Sequence, residues 1–273
     1  MPTTSQIIGI ALIRNEERFI QWSLRNALSL CDRLIVADHY STDDTARLVR
    51  ALQKKDPRIE YHRIKSPAES HTIISPLAGG PYWVFGVDGD EIYDPAGLTR
   101  LRTALLSGEY DSWFNIKGNV LNCTHLDQTS NEAKGYLSPP CRSMTKLYNF
   151  SAIHEWAGVC PERLHGGHIR FAKGFDATRT CNLHLRHAWS NADLRCLHLC
   201  FLSRSRKDKP ILPDNPKWAR HSIAERGSRW RAWMLTIKSK LGWPQAPALK
   251  MAYYRRGALV TLPIHDFSPN PDT

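Results

Sequence analysis

The sequence predicts an α/β fold, a Rossmann-like and mostly parallel sheet flanked by helices, with a basic helical C-terminal extension. Three observations carry that expectation. Strand-like and helix-like stretches alternate through the first ninety residues, two apolar strands end in an aspartate, and the positive charge is concentrated in the second half of the chain. With 273 residues, 42% of them hydrophobic and 23% charged, the chain can bury a real core and is far from a disordered or fibrous composition.

Ile7 to Ile13 is a short apolar run suited to a buried strand, and Glu16 to Leu30 follows with Phe19, Ile20, Leu24, Ala27 and Leu28 at helical spacing. Leu34 to Ala37 reads as a second strand that ends at Asp38. The polar turn Ser41-Thr42-Asp43-Asp44 then stands where a helix cap belongs, before Ala46 to Leu52. Ile59 to Ile64 is a third strand, and 66–81, rich in Ser, Pro and Gly, reads as a loop. The aromatic and β-branched run Tyr82 to Val87 stops at Asp88-Gly89-Asp90-Glu91. Pro95 opens a helix through about Leu106, since the first turn has no use for the amide hydrogen that proline lacks. Later, Ser112 to Ile116, Met144 to Tyr148 and Leu194 to Leu202 look like strands. Pro210, Pro213 and Pro216 mark a linker before a helix near Trp218 to Leu241. These features divide the chain into an α/β domain, 1–203, and a basic Trp-rich extension, 204–273.

The acidic turn carries the chemistry. Two carboxylates one residue apart at the end of an apolar strand project into the crevice where open α/β sheets bind ligands. Carboxylate oxygens are hard donors suited to Mn²⁺ or Mg²⁺, ions that complete their shells with substrate phosphate oxygens. Such an ion would neutralise a departing diphosphate as a Lewis acid. Gly89 permits close approach of a ribose to the backbone. An Asp-x-Asp triplet alone is equally an ordinary solvated turn, so its context decides.

Three ordered segments resemble glycosyltransferase family 2: Ile10-Ala11-Leu12-Ile13-Arg14-Asn15-Glu16, Leu34-Ile35-Val36-Ala37-Asp38-His39-Tyr40-Ser41-Thr42-Asp43-Asp44-Thr45, and Val84-Phe85-Gly86-Val87-Asp88-Gly89-Asp90-Glu91. The resemblance covers about residues 6 to 95 and implies a GT-A fold and a sugar transferase using a nucleotide diphosphate donor, UDP-sugar foremost. It places Asn15, Glu16, Asp38, Asp88 and Gly89 at the donor nucleotide and Asp88 and Asp90 at the metal. Tyr40 departs from the family, which commonly has a smaller residue there, and the basic residues often found near Ser75 to Gly80 are missing. The resemblance also implies a late histidine on the metal, for which His198 in Leu197-His198-Leu199-Cys200-Phe201-Leu202-Ser203-Arg204-Ser205 is the candidate; a buried histidine bonded to a backbone carbonyl is the alternative. Inversion at the anomeric carbon is the family's expectation, and the base for the acceptor hydroxyl would be Glu155 or Glu162. Either is equally a surface glutamate. Trp156 is a sugar platform or a core residue, and Arg204 and Arg206 are candidates to face the diphosphate.

Other readings have specific costs. The GxGxxG turn of dinucleotide-binding folds is missing after the first strand, as is the P-loop pattern. A nucleotidyltransferase would open with a Gly-rich basic loop, which Arg14-Asn15-Glu16-Glu17-Arg18 is not. Cys181, His184, His187, Cys196 and Cys200 form no spacing typical of zinc. Seven scattered cysteines without a CxxC pair read as reduced thiols, and the absence of a signal-like segment or long apolar run leads to an expected cytoplasmic location.

The net charge of +11 is uneven: residues 1–150 hold 17 Lys and Arg against 17 Asp and Glu, and 151–273 hold 20 against 9. Between Arg195 and Arg256, 15 basic residues are interleaved with Trp218, Trp230, Trp233 and Trp243. That composition suits either a helix at the inner face of an anionic membrane, near a saccharide or lipid-linked acceptor, or a solvated helix packed on the domain. A non-catalytic protein acting through this segment is the remaining rival; nucleic acid would use the same residues, but no recognition motif accompanies them.

Overall fold

The computed structural model describes residues 6–139, 147–207, 254 and 256–269. Its first sheet begins as the apolar pattern predicts. β1 (Gln6–Ile13), β2 (Arg33–Asp38), β3 (Ile59–Arg63) and β4 (Tyr82–Asp88) are parallel neighbours in the order β4-β1-β2-β3. α1 (Ile20–Ala27) and α2 (Thr45–Gln53) are the crossovers of β1 to β2 and β2 to β3. Ile7, Ala11, Ile13, Val36, Phe85 and Val87 pack with Leu24, Leu28 and Val49 on one face, and Ile8, Ile10, Ile35 and Val84 meet a second cluster on the other. Burial on both faces explains why these strands read as continuous apolar runs.

α1 is shorter than its helical pattern because the chain turns through Glu16–Phe19 first: Asn15 takes a left-handed φ of 54°, and the Phe19 and Ile20 amides both bond to the Glu16 carbonyl. Within the expected loop 66–81 lies a short helix, α3 (Glu69–Ile74). Its start is held by the Glu69 carboxylate, which accepts from the Lys65 and Ser66 amides. β5 (Glu91–Tyr93) leads into α4 (Pro95–Leu106), with the Asp94 carboxylate capping the Gly97 amide.

The remaining elements are β6 (Asn115–Lys117), β7 (Asn119–Asp127), β8 (Glu132–Ser138), β9 (Leu147–Asn149), β10 (Ile153–Ala157), β11 (His168–Phe171), β12 (Thr180–Asn182), α5 (Leu183–Arg186), β13 (Arg195–His198) and β14 (Leu259–Pro263). The first sheet runs β12-β6-β9-β4-β1-β2-β3, with only β9 antiparallel to its neighbours. A second sheet, β14-β8-β7-β13-β5, packs around Ile92, Leu121, Leu197 and Phe267. β10 and β11 form a separate antiparallel pair. The fold is therefore α/β with a mixed, mostly parallel main sheet.

Residues on both sides of the composition boundary at 203/204 pack into this same body. β14 pairs with β8, and the Phe267 carbonyl accepts from Trp22 Nε1 at 2.6 Å and Asn26 Nδ2 at 2.7 Å. The expected linker and helix, with Trp218, Trp230, Trp233 and Trp243, lie outside the described residues, as does Cys141. The other six cysteines are free thiols. Among the described residues no helix is long and apolar enough to cross a membrane.

Candidate active site

Strand order reverses beside β1, which has β2 then β3 on one side and β4 on the other, so the crevice at the carboxyl ends of β1 and β4 is the topological switch point. Asp88 ends β4 opposite Leu12, and Asp38 ends β2 opposite Ile13. The acidic turn between β4 and β5 is pinned from three sides. Ser23 Oγ donates to the Asp88 carbonyl, the Asp88 amide to Glu91 Oε2, and the Leu199 amide to the Asp90 carbonyl.

Asp90 is nearly buried, at 8% side-chain exposure, and two cationic or basic groups from the far end of the chain approach it. His198 Nε2 and Arg204 Nη1 each stand 3.8 Å from Asp90 Oδ2. The same Arg204 nitrogen donates to Glu16 Oε1 at 2.8 Å. Glu16 is itself buried, with its amide on Thr45 Oγ1. Its side chain fills the space a Cβ at Gly89 would need, since Glu16 Cγ lies 2.5 Å from that point. Packing of Glu16 thus accounts for the glycine without any ribose.

Asp88 has a different partner. Arg163, buried to 3% exposure, donates to Asp88 Oδ1. Burial alone would depress the guanidinium's pKa, but the charges of Asp88 and Glu162 raise it above the usual value, so Arg163 stays charged. The Arg163 backbone is clamped in turn, its amide on Ser70 Oγ and its carbonyl 2.8 Å from His71 Nδ1 of α3. Nothing in the sequence marks Arg163 as part of the site; it is 75 residues from Asp88 and reaches it only because the loop between β10 and β11 folds back over the sheet end.

Among the described residues, no three His, Cys, Asp or Glu side chains gather as a closed metal cage. Of the three expected ligands, Asp90 and His198 approach one another, while Asp88 is held by Arg163. His184, Cys181 and Cys196, raised as zinc ligands, form no such group either. Cys181 and Cys196 are buried in the main core.

Asp38 is fully buried, and both of its carboxylate oxygens serve the fold: Oδ1 accepts from the Ser41 amide at 2.9 Å and Oδ2 from Tyr61 OH at 2.5 Å. Asn15 fastens the loop after β1 to the loop after β2, donating its amide to Ser41 Oγ and accepting from the Thr42 amide. Tyr40 lies between them at φ 50°, 40% exposed, with the Arg63 guanidinium 4.7 Å from its ring centre.

The two candidate bases diverge. Glu155 is exposed on β10 and paired across the hairpin with Arg170 at 2.9 Å. Glu162 stands next to Arg163 and pairs with His165 at 3.2 Å, so only Glu162 shares a loop with a group that touches the acidic turn. Trp156 is buried, its Nε1 on the Gly166 carbonyl and its ring against His71 and Tyr148. The segment after β13 crosses the mouth of the crevice. Arg204's carbonyl accepts from the Arg18 amide, Ser205 Oγ and the Arg206 amide bond to Glu17 Oε1, and Lys207 reaches the Thr42 carbonyl.

The chain is 26% identical over 147 residues to an uncharacterized glycosyltransferase of Rickettsia typhi, covering 53% of this chain and 46% of that protein. It is also 26% identical over 149 residues to one of Rickettsia conorii, covering 54% and 49%. The chain therefore spans about half the length of the curated relatives it matches. Among solved structures, a mannosyltransferase of Pyrobaculum calidifontis in complex with GDP-Man and Mn²⁺ overlaps at a TM-score of 0.41, with 15% identity over 92% of this chain and 85% of that one. A UDP-glucose pyrophosphorylase complexed with UDP-glucose overlaps at 0.26 with 12% identity, covering 52% and 76%. Both scores are too low for any residue role to be carried across. The model of the family described as glycosyl transferase family 2 matches residues 10–177, from within β1 past the β10–β11 hairpin. On that match, over more than half its length and including the acidic turn and the Arg163 loop, the chain belongs to glycosyl transferase family 2.

Proposed function

We propose that the protein transfers a sugar from a nucleotide diphosphate donor, a UDP-sugar, to a saccharide or lipid-linked acceptor with inversion at the anomeric carbon, on a GT-A domain. The observation that carries this reading is the nearly buried Asp90 carboxylate at the switch point, approached at 3.8 Å by both His198 and Arg204. A carboxylate oxygen and an imidazole nitrogen are a fitting donor pair for Mn²⁺ or Mg²⁺, which take few protein ligands and fill the rest with phosphate oxygens and water. Bound there, the ion would offset the charge of the departing diphosphate.

The chain's own residues then have separate tasks. Arg204, held on Glu16, supplies positive charge beside the diphosphate, with Arg206 next to it. Arg163 holds the Asp88 carboxylate in place toward the ribose, leaving Asp90 as the carboxylate for the ion. Asp38 and Asn15 serve the nucleotide through the loops they hold, because the Asp38 carboxylate is itself consumed. Glu162 takes the acceptor hydroxyl's proton as the C–O bond forms and the bond to the diphosphate breaks. Glu155 is the lesser candidate, being tied to Arg170 on an exposed strand. On its composition, the basic, tryptophan-bearing stretch 208–253 would suit an anionic membrane carrying the acceptor.

The test is thermal stabilisation by a panel of nucleoside diphosphates with and without Mn²⁺, in the wild type and Asp90→Ala. A shift with one nucleotide that needs Mn²⁺ and vanishes in the variant is expected. A folded wild type that responds to no nucleotide would overturn the reading.

A further inference from the structure

We propose that Asn122 is a positioning residue that sets the tautomer of His198, so that Nε2 presents a lone pair toward Asp90. The proposal rests on the reading that a divalent ion binds at this pair, and it explains a group that reading does not use: a fully buried asparagine in a strand whose neighbours Leu121 and Cys123 are apolar and equally buried.

The argument is one of donors and acceptors. Asn122 on β7 is the register partner of both His198 on β13 and Tyr136 on β8. The Tyr136 carbonyl can only accept, so the atom 3.2 Å from it must be the amide nitrogen Nδ2. That orients the other end of the amide, and Oδ1 faces His198 Nδ1 at 3.0 Å. Oδ1 also only accepts, so Nδ1 carries the hydrogen. In the neutral ring Nε2 then carries a lone pair instead of a hydrogen, and it stands 3.8 Å from a carboxylate oxygen. Two acceptors in that position repel unless a cation or a proton lies between them. Histidine ligands to metals are typically set in this way, by a hydrogen bond from the other ring nitrogen.

The strand geometry is built for this contact. A Cβ on Gly135 would stand 2.3 Å from the Asn122 carbonyl oxygen, so only glycine lets β8 come this close. The β7–β8 register shifts between Cys123 and His125, immediately beyond. Without Asn122 the favoured tautomer would carry its hydrogen on Nε2, donate to Asp90 and offer no lone pair there.

The experiment combines two measurements on the full chain: the His198 ring tautomer by long-range ¹H–¹⁵N NMR of the metal-free protein, at a pH where the ring is neutral, and Mn²⁺ affinity by EPR titration in the presence of UDP. Wild type, Asn122→Leu, His198→Ala and the double variant are compared. The expected wild-type ring is Nδ1–H. Asn122→Leu should populate Nε2–H and bind Mn²⁺ about 10- to 100-fold more weakly. The double variant should bind no more weakly than His198→Ala, because Asn122 acts through the histidine. A leucine effect that persists without His198, or unchanged Mn²⁺ affinity in Asn122→Leu, would overturn the proposal alone. A wild type that binds no Mn²⁺ would remove the metal reading along with it. If the leucine variant fails to fold, the wild-type spectrum still decides, since an Nε2–H ring contradicts the hydrogen-bond chain.

Discussion

Asp90 and Asp94 flank the three-residue strand β5, and the molecule uses them in opposite ways. Asp94 is closed off: Arg195 reaches its Oδ2 with two nitrogens, at 3.0 and 2.9 Å, and the Asp94 side chain is 2% exposed. Arg195 is further neutralised by Asp266 at 2.6 Å and lies near the rings of Trp189 and Phe267. Among the described residues Asp90 has no such bidentate partner. His198 and Arg204 stop 3.8 Å short of it, and the tight contact of Arg204 goes to Glu16 instead. Both clusters join distant parts of the chain, so distance in sequence does not distinguish them. Closeness does: two Arg195 nitrogens meet Asp94 at full hydrogen-bond contact and Asp94 is shut from solvent, whereas Asp90, with both basic groups at 3.8 Å, can still accept a further ligand.

The comparison is tested most severely by Asp90→Asn. We expect kcat/KM to fall by about 10³-fold or more, equivalent to about 4 kcal/mol of transition-state stabilisation, with the melting temperature unchanged or raised. A drop in melting temperature large enough to explain the activity loss would make Asp90 a structural residue like Asp94. The reciprocal experiment is Arg195→Met, which leaves the buried Asp94 without its cation. Breaking a buried pair from one side costs about 3 kcal/mol or more. Denaturant unfolding should show that loss while Mn²⁺-dependent nucleotide binding by the folded fraction stays intact.

Arg195 also shows why part of the structure could be read from sequence and part could not. The first ninety-five residues were legible because each element buries its own apolar pattern locally. β1 to β4 appear within a residue or so of their runs, and α4 matches Pro95–Leu106. α3 escaped because its six residues sit among Ser and Pro and lack a full amphipathic period. β7, β8 and β14 escaped because they are specified by pairing across the second sheet, including a return from beyond residue 253 that composition assigned to the basic extension. At the candidate site, Asp88, Asp90 and His198 could be singled out because strand ends and the family pattern mark them. Arg163 and Asn122 could not, since a lone arginine in a loop and an asparagine in a strand carry no local signal until the fold brings Asp88 and His198 to them. Asp38 was found for its position, yet its oxygens proved to be committed to Ser41 and Tyr61.

A third carboxylate sharpens the distinction through pH. Asp32, before β2, accepts from Arg102 at 2.5 Å and from the Ile7 amide at 2.8 Å, the closed kind of contact. Burial alone would raise its pKa; the Arg102 and Ile7 hydrogen bonds, with the charges of Arg102 and Arg58, bring it below the ordinary value. A depressed carboxyl adds stability above the unfolded-state value of about 3.9, and that contribution is lost as pH falls through and below it. Wild-type unfolding free energy should therefore decline on the acid side of about pH 4, and Asp32→Asn should be less stable near neutrality but decline less steeply in that window. Equal acid slopes in the two proteins would mean that Asp32 is not held by this contact.

The smallest expected effect on stability is at Tyr40. Its φ of 50° costs a side-chain-bearing residue about 1 kcal/mol, and glycine would relieve that strain. Glycine would also gain about 0.4–1 kcal/mol of unfolded-chain freedom and forfeit the Arg63 contact at 4.7 Å, worth about 0.5–1 kcal/mol at an exposed site. These terms nearly cancel, so Tyr40→Gly should shift the unfolding free energy by no more than about 0.5–1 kcal/mol in either direction. On the proposed function, this strained and half-exposed tyrosine, beside the loops held by Asp38 and Asn15, is expected to meet the nucleotide. Affinity for UDP should fall several-fold in Tyr40→Gly and be retained in Tyr40→Phe, measured by calorimetry beside the unfolding curves. Unchanged affinity in both would leave the ring with no task beyond its contact with Arg63.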